Sequence, residues 1–436
     1  MIRTVRFAFL LSCFALIAPQ ISQAQFLKKL FGKEESPKHK PVRQQYPVYQ
    51  KKPEKPVQKS AEKKAEPRFL AETKMKARYR IDVFASVFLN ELVANGKPVY
   101  KSHLPAKVLP GLGFYQGIKL AADTINSFGY KMDVYFHDIT SAGNSPEVLM
   151  KNGSLDSSDL IIGSVHASLV GPLAAFAKKH HINFVSTLSP FDANVLSNPY
   201  FSVLQPTLTE HCEAIKKPVS EKSRFTNILV FRRSTNALDE SCFQAVVKDS
   251  PFVFTQVLMN TPMPADRLRN FLDSSTSNVV VMPIVDEKYS LQLLDLLNKS
   301  FPNFKFEVYG MPSWKAMPVL QNEGSLSNIG ITIGAPFFFD PSSSAGKEFS
   351  DYYTNVYGGR APEMAYRGYE VLYWFAYLLH KYGTIFNDHF QDNGVAPFTR
   401  FNMKLGRTED GTPRYFENTH VYLYRYQAGS FSVLPE

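Results

Sequence analysis

The sequence predicts an α/β protein of two lobes, each with a parallel sheet flanked by helices. From Tyr79 onward, short apolar runs with the composition of strands alternate with segments whose apolar residues recur at helical spacing. This alternation is typical of parallel sheets that helices cover on both faces. The stretch that begins at Tyr79 is also longer than one hydrophobic core usually supports, so two lobes are expected.

The strands and helices of this body follow each other without long interruptions. Gly129 marks the end of the first long helix, because glycine readily takes the left-handed conformation that follows a helix. Strands are predicted over residues 80–87, 132–137, 160–163, 183–186, 227–231, 252–257 and 278–282. Helices are predicted between them over residues 111–126, 147–152, 169–179, 238–247, 265–272 and 290–298.

The N-terminus has the layout of a secretory signal peptide over residues 1–24. Arg3 and Arg6 precede an apolar run over residues 7–19, and the small residues Ser22 and Ala24 stand at the −3 and −1 positions of a cleavage site. The protein is therefore expected to be exported to the periplasm.

A second interpretation of the N-terminus is a lipid anchor. Residues 10–13, Leu-Leu-Ser-Cys, resemble a bacterial lipobox, which would attach the protein to a membrane through Cys13. The apolar run itself is shorter than the roughly 18 residues that a transmembrane helix needs, and no later segment reaches that length.

Residues 25–78 form a lysine- and proline-rich segment that is expected to be a disordered linker. Its six prolines and many charges leave too little apolar surface to offset the entropy of ordering. Residues 26–31 are amphipathic and basic, so the linker can also contact an anionic membrane or cell-wall surface.

The positive charge of the protein is confined to this N-terminal part. Residues 1–80 hold 19 basic and 6 acidic side chains, and their net charge of +13 exceeds the +10 of the whole chain. The body is therefore slightly acidic. A nucleic-acid partner is not expected, because it requires a basic face on the folded domain.

Two cysteines, Cys212 and Cys242, remain in the predicted body. In an oxidising compartment they can form one disulfide, and they are predicted on neighbouring helices of the second lobe. The alternative is two separate buried thiols, since free cysteine is commonly buried. The spacing of the cysteines provides no metal site.

Several segments of the body resemble, in the same order, those of one known family. They are GLGFYQGIKLAADTIN (111–126), a strand ending at Asp138, DLIIGS (159–164) with VGPLA (170–174), FVSTLSP (184–190), NPYFSV (198–203), residues 349–353 with 357, 358 and 362, and YEV (369–371). This series resembles the type I periplasmic binding proteins, which include the branched-chain amino-acid receptors of ABC transporters.

The resemblance implies a two-lobed type I periplasmic-binding fold with a hinge of three crossings. Residues 79–203 and 335–399 would form lobe 1, and residues 204–334 and 400–436 would form lobe 2. Such proteins close on a small-molecule ligand by bending at the hinge, and the ligand lies outside the carboxyl ends of the strands. The partner of such a receptor would be an inner-membrane permease.

Two loops of lobe 1 are expected to bind the ligand. Ser164, His166 and Ser168 follow one predicted strand, and Thr187 and Ser189 follow the next. Their hydroxyls, together with the free N–H groups of a helix start, suit a carboxylate or a similar acceptor-rich group. Helix capping is the alternative role for Ser168, and turn formation is the alternative for the second loop.

Asn236, Asp286 and Trp314 are expected to face these loops from lobe 2, because the first two follow predicted strands and Trp314 follows Tyr309-Gly310. Here the chain departs from the amino-acid receptors, which often have a Tyr-Gly pair near Asn236 and an acid after Tyr309-Gly310 that holds the ammonium group. Asp286 could supply that acid or be a solvated residue at a helix start. Trp314 could stack on a ligand or plug the rim of the cleft.

The sequence contains no Gly-x-Ser-x-Gly, P-loop or His-Glu-x-x-His motif, so neither an enzyme nor a cofactor or metal is expected. The resemblance leaves two hypotheses. The first is a solute receptor for an amino-acid-like or carboxylate-bearing ligand. The second is a relative that binds an envelope protein, as the outer-membrane lipoprotein activators of peptidoglycan synthases do.

Overall fold

The computed structural model describes residues 70–434, apart from residues 95, 96, 100–102, 191, 224, 225, 262, 322–325, 341, 428 and 429. The predicted signal peptide, the anchor at Cys13 and residues 25–69 of the linker lie outside the described residues. The strands are β1 (Tyr79–Ala85), β2 (Val93–Ala94), β3 (Lys97–Pro98), β4 (Met132–Asp138), β5 (Leu160–Ser164), β6 (Asn183–Ser186), β7 (Phe201–Val203), β8 (Asn227–Arg232), β9 (Thr255–Leu258), β10 (Ser277–Val281), β11 (Lys305–Gly310), β12 (Ile329–Ala335), β13 (Met403–Arg407), β14 (Pro413–Asn418), β15 (Tyr422–Gln427) and β16 (Ser430–Val433).

The helices lie between these strands as the sequence predicts. They are α1 (Leu89–Leu92), α2 (Leu109–Ser127), α3 (Pro146–Lys151), α4 (Ala167–His180), α5 (Leu208–Lys222), α6 (Ala237–Val247), α7 (Ala265–Arg269), α8 (Glu287–Ser300), α9 (Ser344–Tyr357) and α10 (Glu363–Tyr382), with short 3₁₀ turns at Ala106–Val108, Pro312–Ala316, Pro318–Gln321 and Asn387–His389. Each predicted strand and helix has a counterpart here, with its ends moved by a few residues.

The strands form two seven-stranded sheets and a small β2–β3 ribbon. The first sheet has the order β13-β14-β7-β6-β5-β1-β4, and the second has the order β16-β15-β12-β11-β10-β8-β9. In both sheets the strands pair in parallel except at one edge, where β13 pairs antiparallel with β14 in the first sheet and β15 pairs antiparallel with both β12 and β16 in the second. The predicted fold of two helix-flanked, largely parallel sheets is confirmed.

The chain passes between the two sheets three times, as predicted for the hinge. The passages lie between β7 and β8, between β12 and the helices α9 and α10, and between β14 and β15. The assignment of residues 400–436 to lobe 2 was wrong for β13 and β14, which extend the first sheet. Main-chain pairing of β14 with β7, Phe416 with Ser202 and Glu417 with Val203, holds this segment there.

Each lobe has its own core. In the second lobe one cluster of buried apolar side chains surrounds the sheet, and in the first lobe two clusters cover its two faces. Helices α2 and α10 pack side by side on one face of the first sheet. A Cβ atom at Gly117 would lie 2.0 Å from the Ala365 carbonyl oxygen, so this close approach requires glycine.

The end of the predicted linker belongs to lobe 1. The Ala71 amide donates to the Tyr200 hydroxyl at 2.8 Å, and the Lys74 amide donates to the Thr384 hydroxyl at 3.0 Å. Leu70 and Ala71 pack against the core of the first lobe. The expectation of disorder up to residue 78 was therefore wrong from residue 70 onward, because these residues follow the last proline of the segment and contribute apolar contacts and main-chain hydrogen bonds.

Candidate ligand-binding crevice

The two predicted loops of lobe 1 leave the first sheet at the same edge. Strands β5 and β6 are adjacent and parallel, so Ser164 and Thr187 stand at neighbouring carboxyl ends. The Thr187 amide and hydroxyl both donate to the Gly163 carbonyl oxygen, at 2.9 and 3.1 Å. Ser164 and Thr187 are buried, whereas Ser189 is half-buried. Hydrogen bonds thus tie the two loops into one polar rim.

Helix α4 begins at this rim. His166 occupies the N-cap position and makes no side-chain cap, so Ser168 is not the capping residue that the alternative interpretation required. His166 and Ser168 are exposed. The first amides of a helix lack the usual acceptors four residues earlier. Here the Leu169 amide donates to the His166 carbonyl oxygen at 3.0 Å, and the His166 side chain adds no cap.

Arg367 adds a cation to the rim, although it was not among the predicted site residues. One of its terminal nitrogens donates to the Thr187 carbonyl oxygen at 3.2 Å, and its guanidinium carbon lies 3.6 Å from the centre of the Phe337 ring. Burial lowers the pKa of Arg367 to about 10, which still leaves it charged at neutral pH. Its position in the second turn of α10, next to the segment 369–371 that resembles the family, was the available signal.

The two acidic residues nearest in sequence to Arg367 on α10 are engaged elsewhere. Glu370 is buried and accepts the Phe398 amide at 2.8 Å and the Thr399 amide, and burial raises its pKa. Glu363 lies 3.5 Å from the Lys315 ammonium group. The structure gives Arg367 no carboxylate partner among the described residues.

The Lys315–Glu363 contact also brings the two lobes together. Lys315 lies in the 3₁₀ turn that follows β11 of the second sheet, and Glu363 opens α10 on the first lobe. The carboxyl edge of the second sheet therefore faces the rim that carries Arg367. The space between the two edges is the candidate ligand-binding crevice.

Asn236 and Asp286 on the second edge act as helix caps. The Asn236 side-chain oxygen accepts the Leu238 and Asp239 amides, both at 3.0 Å. One oxygen of Asp286 accepts the Tyr289 amide at 3.0 Å, and the other pairs with Arg233 at 3.0 Å. The Tyr289 hydrogen bond and Arg233 together lower the pKa of Asp286.

Arg233 is neutralised within lobe 2. Besides Asp286 it binds the fully buried Asp239 at 3.1 Å, and its guanidinium lies 4.3 Å from the centre of the Tyr289 ring. Asp239 also accepts the Val285 amide at 2.7 Å. The carboxylate of Asp286 is thus used inside the lobe instead of being left open for a ligand ammonium group.

Trp314 does not reach the crevice, so its assignment to the ligand site was wrong. The side chain is completely buried in the core of the second lobe, and its ring covers Gly310, where an added Cβ would lie 2.3 Å away. The indole nitrogen donates to the Ile284 carbonyl oxygen at 3.3 Å. The 3₁₀ turn at Pro312–Ala316 directs the ring back over the end of β11.

Two concave surfaces of the described chain lie away from these residues. One, of about 650 Å³, is lined by residues 226, 227, 270–274 and 276 of lobe 2, and the other, of about 420 Å³, is lined by residues 70, 71, 178, 181, 197, 199 and 200 of lobe 1. Neither contains a predicted site residue.

Cys212 and Cys242 are buried free thiols in the structure. They lie on α5 and α6, which pack against each other. A hydrogen bond to the sulfur of Cys242 and burial both raise the pKa of Cys212. The two side chains are therefore neighbours, and oxidation to a disulfide stays a prediction.

Over the described ranges, no helix is long and apolar enough to cross a membrane. The same residues contain no group of three or more His, Cys, Asp or Glu side chains that could hold a metal ion.

The architecture is the two-lobed fold of the type I periplasmic binding proteins. No protein-family model and no curated protein sequence matches the chain. A solved ABC transporter substrate-binding protein from Desulfitobacterium hafniense, in complex with Leu, is similar to it with a TM-score of 0.54 and 15% identity, covering 82% of this chain and 100% of that one. A structure from Rhodospirillum rubrum, described as a branched-chain amino acid ABC transporter, gives 0.56 and 13% over the same shares.

Full-length LpoA from Haemophilus influenzae is also similar, with a TM-score of 0.50 and 15% identity. The match covers 84% of this chain but only 61% of that protein. At these identities the comparisons establish a shared fold, and the ligand has to be argued from the crevice.

Proposed function

We propose that this protein is a non-enzymatic receptor of the cell envelope that captures a small polar solute between its lobes by hinge closure. The observation that carries the proposal is the meeting of two polar edges at a crevice, joined by three crossings of the chain. Open α/β sheets usually bind ligands at this edge, outside the carboxyl ends of the strands. Hinge bending of two such lobes is a well-known way to enclose a ligand.

The residues that line the crevice in this proposal are Ser164, His166, Ser168, Thr187 and Ser189 on lobe 1 and the helix caps Asn236 and Asp286 on lobe 2. The first group supplies hydroxyls and helix-start N–H groups, which suit acceptor-rich solutes. A periplasmic location rests on the predicted signal peptide. An inner-membrane permease is the partner that would receive the solute.

Thermal unfolding with a library of amino acids, organic acids and sugars tests the proposal on the mature full-length protein. A bound solute at about 100 times its Kd stabilises the native state by about 2.7 kcal/mol, which raises Tm by several degrees. Ser164→Ala combined with Ser189→Ala should abolish most of this rise. Ser127→Ala, at the exposed end of α2, is the matched control and should keep it.

A library in which no solute raises the Tm of the wild-type protein would count against the receptor. The second candidate function is binding of an envelope protein, as in a regulator of peptidoglycan synthesis. It is favoured by one observation, the internal use of Asp239 and Asp286 by Arg233, which leaves the second edge without the acid that amino-acid receptors carry. Similarity to LpoA is compatible with this candidate at the level of the fold.

A further inference from the structure

Arg367 is the least satisfied charged group on the rim of the crevice. A guanidinium carries several N–H donors in a planar fork, and among the described residues this fork makes a single hydrogen bond, to the Thr187 carbonyl oxygen. The remaining contact is with the face of the Phe337 ring. Arg367 is half-buried, so part of the water that would solvate the cation is removed at a cost in free energy. Its remaining N–H donors stay accessible, since none of its nitrogens is among the buried atoms that lack a hydrogen-bond partner.

Loss of the proton does not relieve this cost. Burial moves the pKa of Arg367 only to about 10, so the group stays positively charged over the physiological range. Neither Glu363 nor Glu370 can neutralise it in a direct ion pair, since the first lies against Lys315 and the second binds main-chain amides. The geometry therefore leaves a charge that an anion from outside would satisfy.

We infer that Arg367 is a specificity-determining residue that makes the crevice a site for organic carboxylates lacking an ammonium group. This inference rests on the proposed receptor function. Arginine binds a carboxylate through two parallel N–H···O hydrogen bonds, and the hydroxyls of the adjoining loops lie on the same rim. A zwitterionic amino acid would fit poorly, because Asp239 and Asp286 on the opposite edge are already paired with Arg233.

The placement of Arg367 also connects such a ligand to the hinge. Phe337, which lies under the guanidinium, belongs to the second passage between the sheets, and its carbonyl oxygen accepts the Tyr424 hydroxyl of β15 at 3.5 Å. A carboxylate held by Arg367 would thus lie between the loop of Thr187 and a segment that moves when the lobes close.

Calorimetric titration of the mature full-length protein tests the inference. The probes are acetate, benzoate, succinate and 4-methyl-2-oxopentanoate, each beside its amide, together with L-leucine, which is the amino-acid counterpart of the last. At least one acid should bind at least tenfold more tightly than its amide, and 4-methyl-2-oxopentanoate should bind more tightly than L-leucine.

Three variants separate charge from structure. Arg367→Met removes the charge at similar length and should weaken binding of the acid at least tenfold, whereas Arg367→Lys keeps the charge without the fork and should retain part of the affinity. Arg360→Met, an exposed arginine shortly before α10, should bind as the wild type does. Without ligand, Arg367→Met should keep or raise Tm, since it removes an uncompensated charge.

The two proposals fail in different ways. Binding of L-leucine or a neutral solute that Arg367→Met leaves unchanged would overturn the role of Arg367 and leave the receptor intact. A fall in the Tm of ligand-free Arg367→Met beyond that of Arg360→Met would show a structural role and also overturn it. If no acid binds while a sugar or amino acid does, only this inference is lost, and if no solute binds, both are lost.

Discussion

Two arginines occupy similar places at the two edges of the crevice and have opposite surroundings. Arg233, after β8 of the second sheet, binds Asp239 and Asp286 at 3.1 and 3.0 Å. Arg367, beside the end of β6 of the first sheet, has one carbonyl oxygen and one aromatic ring. The first edge therefore has unused capacity to bind an anion, while the second edge is neutralised from within.

This difference separates a structural polar cluster from a site. At the second edge each carboxylate both pairs with Arg233 and binds a main-chain amide, because Asp239 also accepts the Val285 amide and Asp286 also caps α8. These hydrogen bonds fix the loops after β8 and β10, and they leave the two carboxylates little capacity to bind a ligand. At the first edge the loops are fixed by main-chain and hydroxyl hydrogen bonds, so the charge on Arg367 is not neutralised by a carboxylate that holds a loop in place.

The largest effect on stability is expected when Asp239 of the second edge is replaced. Asp239→Asn keeps the shape but removes the charge that faces Arg233, and loss of one partner of a buried ion pair costs about 3 kcal/mol. Guanidinium unfolding at neutral pH measures this as a lower free energy of unfolding. Asp295→Asn, in an exposed pair with Lys299 one helical turn away, is the control and should cost less than about 0.5 kcal/mol. Equal effects of the two changes would show that the cluster contributes nothing beyond a surface pair.

His211 provides a second contrast with Arg367, since it too is a basic side chain that burial disfavours in its charged form. Its Nδ1 atom finds no hydrogen-bond partner among the residues that the structure describes, and it packs against Gly334 of β12. Burial lowers the pKa of His211 to about 3, so the ring escapes the cost of a buried charge by staying neutral. Arginine does not have this option at neutral pH.

The neutral state of His211 predicts a pH-dependent stability. The unfolded chain takes up a proton near pH 6.5 and the folded protein does not, so this residue stabilises the fold above pH 6.5 and loses that contribution as pH falls toward 3. Between pH 8 and pH 5 the loss is about 2 kcal/mol. His211→Phe should remove this dependence. The free energy of unfolding of the wild type minus that of the variant should therefore fall by that amount between pH 8 and pH 5.

The comparison with the variant is needed because Glu210 acts in the opposite direction. Burial, aided by Glu417, raises the pKa of Glu210 to about 7, so its contribution is present at low pH and is lost as pH rises through 7. Urea unfolding of both proteins at pH 8, 6.5 and 5 measures the difference between their free energies of unfolding. The contribution of Glu210 is common to both proteins and cancels in that difference. If this difference in the free energy of unfolding were the same at all three pH values, it would contradict a buried neutral imidazole.

The fold was predictable because its signals are local. Strands such as Leu160–Ser164 are continuous apolar runs, and α2 has apolar residues at helical spacing and a glycine shortly after its end. The C-terminal strands β13 to β16 were not predicted as such, and β13 and β14 were placed in the wrong lobe. The place of β13 and β14 depends on the pairing of β14 with β7, which lies some two hundred residues earlier in the chain, and no local pattern encodes that pairing.

The site was less predictable than the fold for a related reason. The convergence of Ser164 and Thr187 follows from parallel strand order, which the sequence indicated. Trp314 was misplaced because the direction of a side chain after a strand depends on the following turn, here one that folds the ring onto Gly310. Arg367 was missed because its importance comes from the lack of a carboxylate partner among the described residues. Which side chains pair with each other is visible only in the structure.

The smallest expected effect concerns the hydroxyl that ties the two loops of the first edge together. Thr187→Val keeps the shape of the buried side chain but removes the hydrogen bond to Gly163, whose carbonyl oxygen retains the Thr187 amide as a donor. Loss of a hydrogen bond of this kind costs about 1 kcal/mol in the free energy of unfolding. Thr187→Ala, which removes the buried methyl group as well as the hydroxyl, should cost more than Thr187→Val in the same unfolding experiment. Because the hydroxyl is committed to Gly163, we expect Thr187→Val to weaken ligand binding less than Arg367→Met does, and the reverse order would show that Thr187 contacts the ligand directly.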